Sequence, residues 1–237
     1  VMMSYLGDQT GVYRAMDKLG PSSVKDIAAE SNVNERYLLE WLSSNAGRGY
    51  VTYHEDSDKF SLSPEQAAVF ARENEPTCIQ GLMQGVVGQF VKEDVAIDVF
   101  KTGRGRPWGE HHECCFCGTE RFFRPAYAGH LLDEWIPAMT GVEEKLKMGA
   151  KVADIGCGLG TSSMLMAEQY PNSTIHAFDF HEPSIEEAKK RAEDKGLSNL
   201  EFFVSDAAAI PNESYDLACI FDAWHDMGDP VGIAKSI

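Results

Sequence analysis

Between an apolar strand pattern ending at Ile155 and a helical pattern from about Thr161, the chain reads Asp154-Ile155-Gly156-Cys157-Gly158-Leu159-Gly160. Three glycines at alternate positions constrain the fold more tightly than anything else in the sequence. Lacking Cβ atoms, they can take positive φ values and let a ligand lie against the backbone. The helix that follows offers its first N–H groups to a carboxylate or phosphate. A strand before the turn and a helix after it predict a parallel α/β sheet, in which ligands sit where loops leave the carboxyl ends of the strands.

The pattern continues in the same rhythm. A second strand, Ser173 to Phe178, closes on Asp179, and a helix follows from Pro183 to about Lys195. A third strand, Leu200 to Val204, closes on Ser205-Asp206, and a fourth, Tyr215 to Phe221, closes on Asp222. This reads as a doubly wound, Rossmann-like α/β domain over residues 151–237, with an acid at the carboxyl end of successive strands. The dinucleotide fingerprint wants Gly-x-Gly-x-x-Gly, whereas here the spacing is Gly-x-Gly-x-Gly after an acid. An NAD-binding domain is the alternative, since an acid at Asp179 would take a ribose there too.

Ahead of that domain, Val12, Ala15, Met16 and Leu19 recur at helical spacing up to Gly20-Pro21. Ser22 or Ser23 caps a second helix through Val24, Ile27 and Ala28, and a third runs from about Asn34 with Tyr37, Leu38, Trp41 and Leu42 on one face. Tyr50 to Tyr53, a polar turn from His54 to Lys59, and Phe60 to Ser63 predict a β-hairpin. Three short helices and a hairpin over residues 1–63 make a winged helix. Such modules often bind DNA, but the groove-facing helix carries Glu35, Arg36 and Glu40, and the wing carries Glu55, Asp56 and Asp58 against Lys59. With 21 Lys plus Arg against 37 Asp plus Glu, a net charge of −16 and a pI near 4.8, the chain lacks the counterion-release term that drives phosphate binding. Protein–protein contact is the expected role, without a nucleic-acid partner.

Residues 64–150 read as a helical linker or lid: Cys78 to Phe100, then Thr119 to Met139 with Phe122, Phe123, Tyr127, Leu131, Leu132 and Trp135, separated by the loop Thr102 to Gly109. Trp108, Phe122, Tyr127 and Trp135 are core residues or pocket walls. His111-His112-Glu113-Cys114-Cys115-Phe116-Cys117 sets Cys114 and Cys117 at a zinc-like separation, but a structural zinc needs four converging ligands and no second pair follows. The expectation is no metal and an exposed, oxidation-prone loop. No apolar run approaches the roughly 18 residues of a membrane span; the longest, Ile79 to Val91, is broken by Gln80, Gln84 and Gln89. The first residues lack a secretory signal and do not begin with Met, so a trimmed start, reduced thiols and a cytoplasmic protein are expected.

On these motifs, residues 151–237 resemble the first half of a class I S-adenosylmethionine-dependent methyltransferase. The resemblance implies that Gly156, Gly158 and Gly160 receive the methionine part of the cofactor, with Asp154 and Cys157 also in the cofactor-binding set. It further implies that Asp179 holds both ribose hydroxyls, with Phe180 and Asp222 in the cofactor-binding set, and that Asp206-Ala207 lies by the adenine. Phe221-Asp222-Ala223-Trp224-His225-Asp226-Met227-Gly228-Asp229-Pro230 resembles the His-Asp-Trp stretch of two-domain small-molecule O-methyltransferases, whose N-terminal winged helix forms dimers. That likeness implies a homodimer, a catalytic His225 that takes the substrate's proton, and an Asp226 that orients it. Met227-Gly228 departs from the family's tryptophan and serine, and the wording is closer to bacterial-type relatives of the same build. The family's sheet has seven strands, so this one is expected to be truncated after the fourth. The expected function is methyl transfer from S-adenosylmethionine, leaving S-adenosylhomocysteine, to oxygen on a small molecule. The alternative is a non-catalytic cofactor-sensing regulator or a winged-helix interaction protein.

Overall fold

The computed structural model describes residues 1–210 and 215–237, which form two compact units, Val1–Pro125 and Ala126–Ile237. In the first unit α1 (Met2–Gln9) precedes α2 (Val12–Leu19), which stops at Gly20 with φ 67°. The Ser23 hydroxyl accepts from the Asp26 N–H to start α3 (Val24–Ser31), and the Asn34 side chain accepts from the Tyr37 N–H to start α4 (Glu35–Ala46). These caps satisfy amides that the first helical turn leaves without partners. The hairpin β1 (Thr52–His54) and β2 (Lys59–Ser61) pairs antiparallel, and Ser22 bonds Phe60 as a third short bridge. Tyr13, Met16, Ile27, Leu38, Trp41, Leu42 and Phe60 are buried together beneath them. This is the expected winged helix.

Ser63 opens α5 (Pro64–Phe70) with a capping box closed by Gln66. The predicted helix Cys78 to Phe100 is two, α6 (Gln80–Val91) and α7 (Glu93–Thr102), broken at Lys92. The predicted loop at His111–Cys117 is corrected as well. Helix α8 (Glu113–Ala126) begins inside it, His112 Nδ1 accepts from the Cys114 N–H, and Cys114 and Cys115 are buried. Their burial has a reason in α6. A Cβ on Gly81 would stand 2.4 Å from the Phe122 nitrogen, one on Gly118 2.5 Å from the Gly85 nitrogen, and one on Gly88 2.6 Å from Cys115 Sγ. Glycines on both helices thus bring α6 and α8 into backbone contact.

Buried Asp8 on α1 ties this layer together, accepting from both Arg121 terminal nitrogens at 2.9 and 3.1 Å and from Arg14 at 3.1 Å. Arg121 and Arg124 also reach Glu73. Burial acts to raise the Asp8 carboxyl, yet Arg121, Gln9 and Arg14 hold it below its ordinary 3.8.

The second unit opens with a π-helical segment, Tyr127–Trp135, and α9 (Val142–Met148). It then alternates β3 (Lys151–Ile155), α10 (Thr161–Gln169), β4 (Thr174–Asp179), α11 (Glu182–Asp194), β5 (Leu200–Val204), β6 (Leu217–Cys219) and α12 (Pro230–Ser236). All four strands are parallel in the order β5-β4-β3-β6, the doubly wound arrangement read from the sequence. The fourth strand is shorter than the predicted Tyr215 to Phe221, part of which lies next to residues outside those described. On one face Val152, Met166, Tyr170, Ile175, Ile185 and Ala188 are fully buried; on the other Ala153, Ile155 and Phe178 pack with Phe203 and Tyr215.

The Asp8 cluster has a pH signature. Since its folded pKa lies below its unfolded one, its stabilisation is complete above the ordinary value and is lost as pH falls through the folded value. Asp8→Asn should cost about 3 kcal/mol at pH 7, as breaking a buried pair does. In urea titrations the gap to the parent chain should narrow between pH 5 and pH 3, and a constant gap would contradict this assignment.

Candidate functional site

The carboxyl ends of β3, β4 and β6 deliver three acids to one edge of the second unit. Asp154, the penultimate residue of β3, is wholly buried. Its Oδ2 accepts from the hydroxyls of Ser162 and Ser163, each at 2.6 Å, because the first turn of α10 follows the glycine turn immediately. Its Oδ1 is buried and, among the described residues, accepts no hydrogen bond. Burial pushes the Asp154 pKa up, Ser162 and Ser163 pull against it, and Asp179 adds to the rise. Among the described residues, the groups that shift Asp154 include no cation. A carboxylate with an unmet lone pair in a dry site attracts a charged donor.

The three glycines play three parts. Gly156, Gly158 and Gly160 all take positive φ, 75°, 54° and 76°. A Cβ on Gly156 would stand 2.6 Å from that of Ala223, and one on Gly160 2.7 Å from the Phe202 ring, so both serve packing. At Gly158 a Cβ would meet nothing within 4 Å. That residue alone presents bare backbone to open space, where a side chain would occupy the room a ligand needs. The turn is pinned by the Gly156 and Cys157 N–H groups, which both donate to the Phe178 carbonyl oxygen, at 2.8 and 3.0 Å.

Asp179, the last residue of β4, is nearly buried. Its Oδ2 accepts from the Gly158 N–H at 2.9 Å and its Oδ1 from the His181 N–H at 2.8 Å. Each oxygen keeps a second lone pair, so two vicinal hydroxyls can donate to this carboxylate without displacing either amide. Phe180 beside it is 52% exposed. Asp206 is exposed and caps the short turn Ala207–Ala209, its Oδ1 accepting from the Ala208 N–H at 2.8 Å. Burial pushes the Cys157 thiol well above its ordinary value and the Cys219 thiol up to about 12, with Asp154 adding to both. Both are neutral spacers around the buried acid.

Asp222 stands just past β6 with φ 52°, a left-handed conformation uncommon for a residue with a side chain. It turns the chain into Trp224–Asp226, where His225 Nδ1 lies 3.8 Å from Asp222 Oδ1 and His225 Nε2 lies 3.4 Å from Asp226 Oδ1. Asp222, Trp224, His225 and Pro230 line an open depression of about 390 Å³. Sequence reasoning left one neighbour undecided between core and pocket wall. Tyr127 packs its ring on Phe221 at 5.4 Å and on Trp135 at 6.2 Å, and its hydroxyl pKa is pushed up by burial, then by Asp154 and Asp222. Its position beside these acids had no signal in the sequence, because the π-helical turn that sets it there has no residue signature.

Residues 146–237 match the family described as "Methyltransferase domain", and residues 1–72 match the "Rv2258c-like winged HTH domain". The chain therefore carries a methyltransferase domain preceded by a winged helix-turn-helix domain. Its solved structural neighbours are small-molecule O-methyltransferases. Mitomycin 7-O-methyltransferase is 16% identical with a TM-score of 0.70, covering 99% of this chain and 70% of that one. Human N-acetylserotonin methyltransferase with S-adenosylmethionine is 15% identical with a TM-score of 0.65, over 99% and 70%. At that identity the likeness is one of fold. Among sequence relatives, the tRNA (guanine-N(7)-)-methyltransferase of Yersinia pestis (strain Pestoides F) is 36% identical over 81 residues, 31% of this chain and 34% of that protein. The ubiquinone biosynthesis O-methyltransferase of Actinobacillus pleuropneumoniae serotype 5b (strain L20) is 33% identical over 94 residues, 37% and 39%. The chain thus spans little more than a third of these relatives' length.

If Asp154 is kept for a ligand rather than for stability, neutralising it should stabilise the fold. Asp154→Asn keeps an acceptor for Ser162 and Ser163 and removes the buried charge. Because the folded pKa is raised, the native carboxylate is destabilising only as pH rises above its ordinary 3.8. The variant should melt about 2–4 °C higher at pH 7, a shift of ~1 kcal/mol for a chain of this size. That advantage should shrink toward pH 4; a lower melting temperature at pH 7 would contradict the reading.

Proposed function

We propose that this chain binds S-adenosylmethionine at the carboxyl edge of β3, β4 and β6 and takes part in methyl transfer from it to a small molecule, onto a hydroxyl oxygen. The observation that carries the reading is the buried Asp154, whose Oδ1 accepts nothing among the described residues, at the start of a turn in which Gly158 is the glycine that faces open space. An α-ammonium group is the donor such an oxygen lacks, and the bare Gly158 backbone leaves room for the chain that bears it. Asp179 offers a free lone pair on each oxygen to a ribose, and Asp206-Ala207 stands at the next strand end for the adenine. Phe180, half exposed beside Asp179, offers a face to the base. The bound cofactor supplies an electrophilic methyl on a sulfonium; the protein supplies position and a proton acceptor.

His225 is the proposed general base. Both of its nitrogens lie near carboxylates, Nε2 3.4 Å from Asp226 Oδ1 and Nδ1 3.8 Å from Asp222 Oδ1; the nearer carboxylate holds the ring's proton on Nε2, which leaves Nδ1 to take the proton from the acceptor hydroxyl. Asp226 is the nearer carboxylate and the proposed orienting group, with Asp222 on the opposite nitrogen. The charge of the winged helix supports a small-molecule acceptor over a nucleic acid. On α4 the exposed Arg36 is paired with Glu40, and the wing tip presents Glu55, Asp56 and Asp58. The same unit exposes Phe90, Val91, Ile97 and Phe100 along α6 and α7, which supports a homodimer through the N-terminal part of the chain.

Titration calorimetry tests the proposal directly. S-Adenosylmethionine and S-adenosylhomocysteine should bind and NAD should not, and Asp179→Ala should lower affinity about 100-fold by removing two hydroxyl contacts to a charged acceptor. His225→Ala should bind both as the parent does and fail in turnover. Binding of NAD in their place, or none of the three, would overturn the assignment.

A further inference from the structure

The thiols of α8 play no part in the site at the sheet edge, and they lie in the other unit. We propose that Cys114 and Cys117 form a peroxide-sensitive dithiol that closes to a disulfide within the first turns of α8. Positions three apart on a helix have Cα atoms about 5 Å apart, from a rise of 1.5 Å and 100° per residue on a 2.3 Å radius. That falls inside the roughly 4.4–6.8 Å span of known disulfides. Their Cβ atoms, about 5–6 Å apart on a regular helix, must approach by ~1–2 Å. The turn that has to tighten is the first of α8, where amides have no helical partner and His112 Nδ1 caps the Cys114 N–H.

Burial assigns the order of events. Cys117 is exposed, whereas Cys114 is 8% exposed beneath it, its Sγ 3.7 Å from the Tyr5 hydroxyl. Closure gives up that long contact. Peroxide meets Cys117 first: its thiolate attacks one oxygen, the O–O bond breaks, and a sulfenic acid and hydroxide form. The Cys114 sulfur then attacks the Cys117 sulfur, the S–O bond breaks, and the second oxygen leaves as water once protonated. Two thiols and one hydrogen peroxide give one disulfide and two waters.

The other four cysteines are shielded from this chemistry. Cys115 is 2% exposed with its Sγ toward the Gly85 carbonyl under Gly88. Cys78 and Cys157 are buried and Cys219 half-buried, and burial raises the thiol pKa of all four, which starves them of the reactive thiolate.

The test is stoichiometric hydrogen peroxide on the reduced chain, followed by alkylation and peptide mass spectrometry. The expected product is a Cys114–Cys117 peptide lighter by two hydrogens, with two titratable thiols lost and both restored by dithiothreitol. Cys114→Ser should lose one thiol and leave Cys117 as a sulfenic acid that dimedone traps. Cys117→Ser, altered at an exposed position, should keep all its remaining thiols under the same dose. Oxidation of Cys117 to sulfinic acid with Cys114 still alkylated in the parent chain would overturn the proposal. So would first oxidation at any buried cysteine.

Discussion

Burying one carboxylate organises the second unit. Asp154 lies inside a sheet with no cation among the described groups that shift it, and its Oδ2 is held by two hydroxyls that arrive only because α10 begins directly after the glycine turn. That requires a chain reversal in seven residues, which the positive φ of Gly156, Gly158 and Gly160 provides. The reversal in turn sends the Gly158 amide to Asp179, so the end of β4 and the turn after β3 are fixed by one hydrogen bond. A side chain at Gly156 would collide with Ala223, which carries the same geometry over to Asp222 and His225. The three strand ends are therefore one device rather than three independent sites.

Electrostatics divides the labour between the two units. In the first, buried charge is neutralised internally: Asp8 and Glu73 meet Arg14, Arg121 and Arg124, and the result is a brace between α1 and α8. In the second, Asp154 has no such partner among the described residues, and residues 151–237 hold 15 acidic against 6 basic side chains. A paired cluster contributes rigidity; an unpaired one stores an attraction that a cationic ligand satisfies.

The alternating half of the chain was legible because each element carried its own signal. Glycine spacing, β-branched and aromatic runs, and acids at strand ends place β3, β4 and β5 within a residue or so of where they stand. Ser23 and Asn34 likewise announced α3 and α4. The helical middle was less readable for physical reasons. Lys92 breaks α6 from α7 without a proline or glycine, and Cys114 and Cys115 looked like loop residues because their burial depends on glycines some thirty positions earlier in α6. Helix α1 has no capping side chain, and α5 was announced only by the Ser63-to-Gln66 capping box, a signal that was there to be used. In the candidate site, the acids and glycines were visible as a pattern. Which glycine faces open space, and that Asp154 Oδ1 has no partner, were not, since both depend on what the other strands bring alongside.

That the glycine turn and Asp179 act together on one ligand is tested most directly by residue-level amide exchange measured with and without S-adenosylhomocysteine. The Gly158 and His181 amides, both bonded to Asp179, should exchange at least ten-fold more slowly in the complex, together with Ala208 beside Asp206, while amides in α3 and α4 are unchanged. Protection confined to the winged helix, or a bound ligand that leaves Gly158 and His181 as they were, would contradict it.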